Sequence, residues 1–138
     1  MKERYVIVHV GDSRVYHIGD SLRQLTTDQT FIAREISRGT MTAKQAKKDK
    51  RRNLLLQCVG ASENLKPEIR TGIVKKGVYM LCSDGFCHEI TEAEMYEVLN
   101  PVNLINKKTM HRNVQYLIEQ VKLRQEKDNI SVVVIKAE

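Results

Sequence analysis

Val78-Tyr79-Met80-Leu81-Cys82-Ser83-Asp84-Gly85 is an apolar, partly β-branched run that stops at a polar turn carrying an aspartate. Such a run reads as a strand. The pattern recurs twice. Tyr5-Val6-Ile7-Val8-His9-Val10-Gly11-Asp12-Ser13-Arg14 ends at Asp12, and Lys127-Asp128-Asn129 leads into Ile130-Ser131-Val132-Val133-Val134-Ile135. Strand ends that meet at one edge of a sheet gather carboxylates from distant parts of a chain. Gathered carboxylates bind hard divalent cations through oxygen. Asp12, Asp84 and Asp128 are therefore the candidate metal ligands, and Mg²⁺ or Mn²⁺ the candidate ions.

The residues between these strands supply the rest of the architecture. Residues 4–10 and 14–18 read as strands, Gly19-Asp20 as a hairpin turn, and Leu22 to Leu25 as the returning strand. His17 is expected to face His9 across neighbouring strands. A short helix spans Phe31 to Arg38 and stops at Gly39. Thr42-Ala43-Lys44-Gln45 and Thr91-Glu92-Ala93-Glu94 are capping-box patterns that each open a helix. Met110, Val114, Leu117, Ile118 and Val121 share one face of a longer helix that begins near Thr109. The last strand is expected at Ile130 to Ile135. Strands, helices, strand, helices, strand indicate an α+β fold with a largely antiparallel sheet.

A chain of 138 residues suits one domain and can bury a core without disulfides. Three cysteines, Cys58, Cys82 and Cys87, fit a reducing cytoplasm. No apolar run approaches a membrane span, and Met1-Lys2-Glu3-Arg4 lacks a signal-peptide core. The net charge of +6 is concentrated between Arg34 and Arg52. That stretch has no aromatics to stack on bases, so it reads as a solvated face rather than a nucleic-acid surface. Cys82, Cys87 and His88 lack a second ligand pair, which argues against zinc. Cys82 reads as a core residue.

Five motifs follow one another in order: Gly11-Asp12-Ser13-Arg14, Leu25-Thr26-Thr27-Asp28, Arg52-Asn53 with Val59-Gly60, Leu81-Cys82-Ser83-Asp84-Gly85, and Asp128-Asn129-Ile130-Ser131-Val132-Val133. This series resembles the metal-dependent protein serine/threonine phosphatases of the PP2C, or PPM, family, bacterial type. The resemblance implies a layered β-sandwich flanked by helices, with a pair of Mg²⁺ or Mn²⁺ ions between two antiparallel sheets. It implies dephosphorylation of phosphoserine and phosphothreonine in proteins. The partners it implies are phosphoproteins and a Ser/Thr kinase that shares them. Asp84 and Asp128 match carboxylates that hold one of the paired metals. Asp12, with Asp84, matches a ligand of a third, weaker metal. Residues at about 30–53 match the family's flap, where Arg51 and Arg52 are candidate substrate contacts.

The chain departs from the family at its N-terminal side. The family's phosphate-binding Arg, an early acidic residue and the Asp-Gly pair that bridges both metals have no counterpart here. Residues 1–138 therefore read as one partial domain, the C-terminal portion, with Gln29 where a His is common. Two expectations follow. The chain alone should be nearly inactive. Its uncovered strand edges should favour a homodimer, a swapped assembly or aggregation. The alternative reading is a non-catalytic regulatory or interaction module of the same fold.

Overall fold

The computed structural model describes residues 3–138. It contains six strands: β1 (Arg4–His9), β2 (Arg14–Ile18), β3 (Leu22–Gln24), β4 (Glu68–Ile73), β5 (Gly77–Cys82) and β6 (Val132–Ala137). Five helices accompany them: α1 (Phe31–Ser37), α2 (Ala43–Ala46), α3 (Asp84–Cys87), α4 (Glu92–Leu99) and α5 (Lys107–Leu123). The strands form two antiparallel sheets, β1-β4 and β3-β2-β5-β6. The architecture is the expected α+β sandwich with helices outside.

Register sorts the side chains of the larger sheet. Tyr16 lies opposite Met80, and Met80 opposite Val134, so these residues share one face. Tyr16, Ile18, Val78, Met80 and Cys82 pack there against Phe86, Met95, Leu99, Leu104, Leu117 and Val121. This is the core. Each such side chain contributes about 1.5–3 kcal/mol by leaving water. The helices are placed by their caps. Thr91 and Glu94 form a reciprocal capping box on α4, and Asn106 and Thr109 form another on α5.

The opposite face carries Val15, His17, Tyr79, Leu81, Val133 and Ile135, and turns toward the two-stranded sheet. Tyr5 of β1 meets Tyr79 with ring centroids 5.8 Å apart, and His17 meets Tyr79 at 4.8 Å. The two sheets do not close on each other. A cavity of about 650 Å³ remains between them, lined by residues including Tyr5, Ile7, His9, Val15, Leu81 and Ile135. Leu81, Val133 and Ile135 stay 41%, 57% and 54% exposed, and Val6, Val8 and Ile69 on the outer face of β1-β4 are each 66% exposed.

Three sequence expectations shift. His9 and His17 do not face each other on paired strands: β1 pairs with β4, and Gly11-Asp12 carries the chain into the other sheet. The last strand starts at Val132, because Ser131 is already committed to the β5 turn. Its carbonyl accepts from Ser83 N, and its amide donates to Ser83 Oγ. Helix α5 begins two residues early, at Lys107, because Asn106 accepts from Thr109 N. No helix among the described residues is long and apolar enough to cross a membrane.

Candidate metal and phosphate site

Asp12 and Asp84 come together. Both line a cavity of about 230 Å³ whose walls also include Arg14, Asp28, Arg52 and Cys87. Asp12 is delivered by the crossover after β1. Gly11 there has φ +105°, a left-handed conformation that L side chains rarely adopt. Gln29 fixes the turn from the other side. Its side-chain oxygen accepts from Gly11 N at 2.8 Å, and its own amide donates to Gly11 O at 2.9 Å. Gln29 thus makes a specific contact beside Asp12 at the position where a His is common in the resembling family.

Asp84 opens α3 directly after β5. Ser83 N donates to Ser131 O at 2.9 Å, and Ser83 Oγ donates to Asn129 O at 3.2 Å. These bonds tie the Asp84 turn to the Asp128-Asn129 loop. Gly85 presses on the same loop, so closely that an added Cβ would lie 3.2 Å from Asp128 Cβ. Asp128 therefore neighbours Asp84 through the backbone, although its own side chain is exposed and outside the cavity wall. Among the described residues, no three His, Cys, Asp or Glu side chains stand close enough to hold a metal without rearrangement.

The electrostatics are those of crowded carboxylates. Burial, followed by repulsion from Asp84, pushes the Asp12 carboxyl above its usual range. Asp28 is neutralised locally. Arg14 Nε donates to Asp28 Oδ1 at 2.9 Å and Arg14 Nη2 to Asp28 Oδ2 at 2.6 Å, a bidentate pair. Burial works against the Arg14 charge, but the Asp28 bonds outweigh it and hold the guanidinium above its ordinary range. Arg14 also donates to Tyr16 Oη at 3.0 Å. It is thus a wall of the site with its donors engaged.

The two flap arginines separate. Arg51 is bound in a fork to Asp49, at 3.0 and 2.8 Å, and its guanidinium lies 4.1 Å over the Phe31 ring. It lies outside the Asp12–Asp84 cavity. Arg52 lines that cavity, and among the described residues it has no carboxylate partner. The loop carrying both is closed at its base by an isolated bridge between Thr30 and Leu55, with Phe31 N donating to Leu54 O at 2.8 Å. The lysines Lys44, Lys47, Lys48 and Lys50 are exposed, as a solvated face requires. Asp28 and Cys87 were not among the sequence-derived site residues. Asp28 had a legible signal in the Arg14…Asp28 motif pair, whereas Cys87 had none.

No protein-family model matches the chain. Known proteins do. The serine/threonine phosphatase stp of Listeria innocua serovar 6a is 31% identical over 139 aligned residues, which cover 98% of this chain and 52% of that protein. The S. agalactiae serine/threonine phosphatase structure superposes with a TM-score of 0.87 at 25% identity, covering 98% of this chain and 55% of that one. The catalytic domain of the serine threonine protein phosphatase PstP, solved in complex with two manganese ions, gives a TM-score of 0.77 at 27% identity, over 97% and 54% of the two chains. The chain spans about half the length of the curated relatives with which it aligns end to end.

Proposed function

Since the chain belongs to the PP2C-type serine/threonine phosphatase family, we propose that it supplies part of a metal-dependent site that cleaves phosphoserine and phosphothreonine esters in proteins. The observation that supports this most is Asp12 and Asp84 lining one cavity beside Arg52. A hard divalent cation, Mg²⁺ or Mn²⁺, fits the donor set. Burial, and then repulsion between these two oxygen-only side chains, hold Asp12 above its usual range, which a bound cation would offset. Asp12 and Asp84 would hold the ion, with Asp128 joining from the loop that Gly85 presses on. When bound, such an ion acidifies a coordinated water and offsets phosphate charge.

The chain's own residues do the remaining work. Arg52 lines the cavity with a guanidinium that has no carboxylate partner among the described residues and can take two phosphate oxygens in a fork. Arg14, locked to Asp28, keeps the cavity wall rigid instead of contacting substrate. Ile32, Ala33 and Ile36 of α1 form an apolar side of the cavity that limits water. Arg51 serves the flap through Asp49 and Phe31. On this reading the phosphoprotein partners, a Ser/Thr kinase acting on them and a cytoplasmic location follow from the family.

We expect residues 1–138 by themselves to catalyse poorly, because Asp12 and Asp84 share the cavity while Asp28 is engaged by Arg14 and Asp128 lies outside the cavity wall. The test is hydrolysis of p-nitrophenyl phosphate and of a phosphothreonine peptide by the purified chain with Mn²⁺. The expected rate is close to background, and vigorous Mn²⁺-dependent turnover would contradict the partial-site reading. The second reading, a non-catalytic interaction module, rests on the exposed Val6, Val8, Ile69, Val133 and Ile135. It predicts the same low turnover without any Mn²⁺ binding at Asp84.

A further inference from the structure

Cys82 and Cys87 stand at the two ends of the segment that carries Asp84. Cys82 is the last residue of β5 and is 4% exposed, while Cys87 closes α3 and lines the cavity that holds Asp12 and Asp84. Their Sγ atoms are only 2.7 Å apart. The frame between them is stiff. Phe86 is fully buried, Gly85 has no room for a side chain, and Cys87 N donates to Ser83 O at 3.3 Å. The sulfurs are thus held in register by the fold, and Cys87 lines a solvent-connected cavity.

The geometry points to a modification site that the phosphatase reading does not use: Cys82 and Cys87 form a reversible intrachain disulfide when the protein meets a peroxide. Cys87 is the sulfur that meets the oxidant, because it lines the open cavities. Its sulfur, having released its proton to solvent, attacks one peroxide oxygen, and the O–O bond breaks. Hydroxide leaves, takes up a proton and becomes water, so Cys87 is left as a sulfenic acid. Cys82 Sγ then attacks that sulfur. The S–S bond forms, the S–O bond breaks, and the departing hydroxide takes the Cys82 thiol proton as a second water. Two thiols lose two electrons in total, and one hydrogen peroxide becomes two waters. The ring so closed contains Asp84, so its formation ties the metal-ligand turn to the end of β5. A dithiol reductant reverses it.

The pairing does not depend on the phosphatase reading and is tested without metal. Cys58 is exposed and is first replaced by serine, so that only the pair remains. The Cys58→Ser protein is treated with hydrogen peroxide, denatured and alkylated with maleimide. The expected result is no alkylated thiol and a monomeric mass lower by two hydrogens, with both thiols alkylated after dithiothreitol. In a Cys58→Ser, Cys82→Ser protein, Cys87 has no partner and is expected to react with dimedone as a trapped sulfenic acid. Two alkylated thiols after peroxide would overturn the proposal. So would Cys87 over-oxidised beside a free Cys82, or disulfide-linked dimers in place of the intrachain bond.

Discussion

Gly85 has no room for a side chain: an added Cβ would lie 2.6 Å from Asn129 O, a backbone atom that cannot swing aside. Gly85→Ala therefore forces the Asp84 turn and the Asp128 loop apart. We expect a loss of about 1–3 kcal/mol, the cost of overpacking a fitted contact, measured by urea unfolding. Wild-type stability in that variant would show the loop to be compliant. The sequence singles out each carboxylate because it flanks a strand-like run. What was not legible is how they divide. Asp12 and Asp84 share a cavity, whereas Asp128 reaches the same turn only through its backbone neighbourhood. Nor could the sequence separate Arg51 from Arg52, because the distinction depends on Asp49 and the Phe31 ring capturing one of them.

Elements were best read where local chemistry decides them. The capping boxes at Thr42 and Thr91 stand as their spacing indicated, each with both reciprocal bonds present. Strand pairing was harder, since β1 finds its partner at least 59 residues away in β4 and no local signal encodes that choice. The α4 cap also carries a pH dependence. Glu94 accepts from Thr91 N at 2.8 Å and is ion-paired with Arg124 of the α5 C-terminus. The Arg124 bonds, then the Thr91 bonds, hold the Glu94 carboxyl down to about 2, against an ordinary 4.5. A depressed carboxylate stabilises the fold fully above its unfolded value and loses that contribution as pH falls through its folded value. The stability gap between wild type and Glu94→Gln should therefore be constant above pH 4.5 and shrink toward pH 2. The pair is open to solvent, which screens it, so the gap should be small. A gap that widens on acidification would refute the assignment.

At the scale of the whole molecule, the helical side of the larger sheet is finished and the other side is open. Tyr16, Ile18, Met80 and Val121 are fully buried, whereas Val133 and Ile135 on the other face are more than half exposed. Exposed apolar faces of this kind favour association. Light scattering over a concentration series should show growth beyond the monomer, and Val133→Lys with Ile135→Lys should suppress it. A wild-type monomer at every concentration would contradict this. The proposed cation site joins Asp12 and Asp84 in one cavity with Asp128 adjacent. The most direct measurement of that central claim is a calorimetric titration of Mn²⁺ into the wild-type chain and into Asp84→Ala. The wild type should bind Mn²⁺ weakly but saturably and Asp84→Ala should not; identical isotherms for the two proteins would contradict a cation site at Asp84.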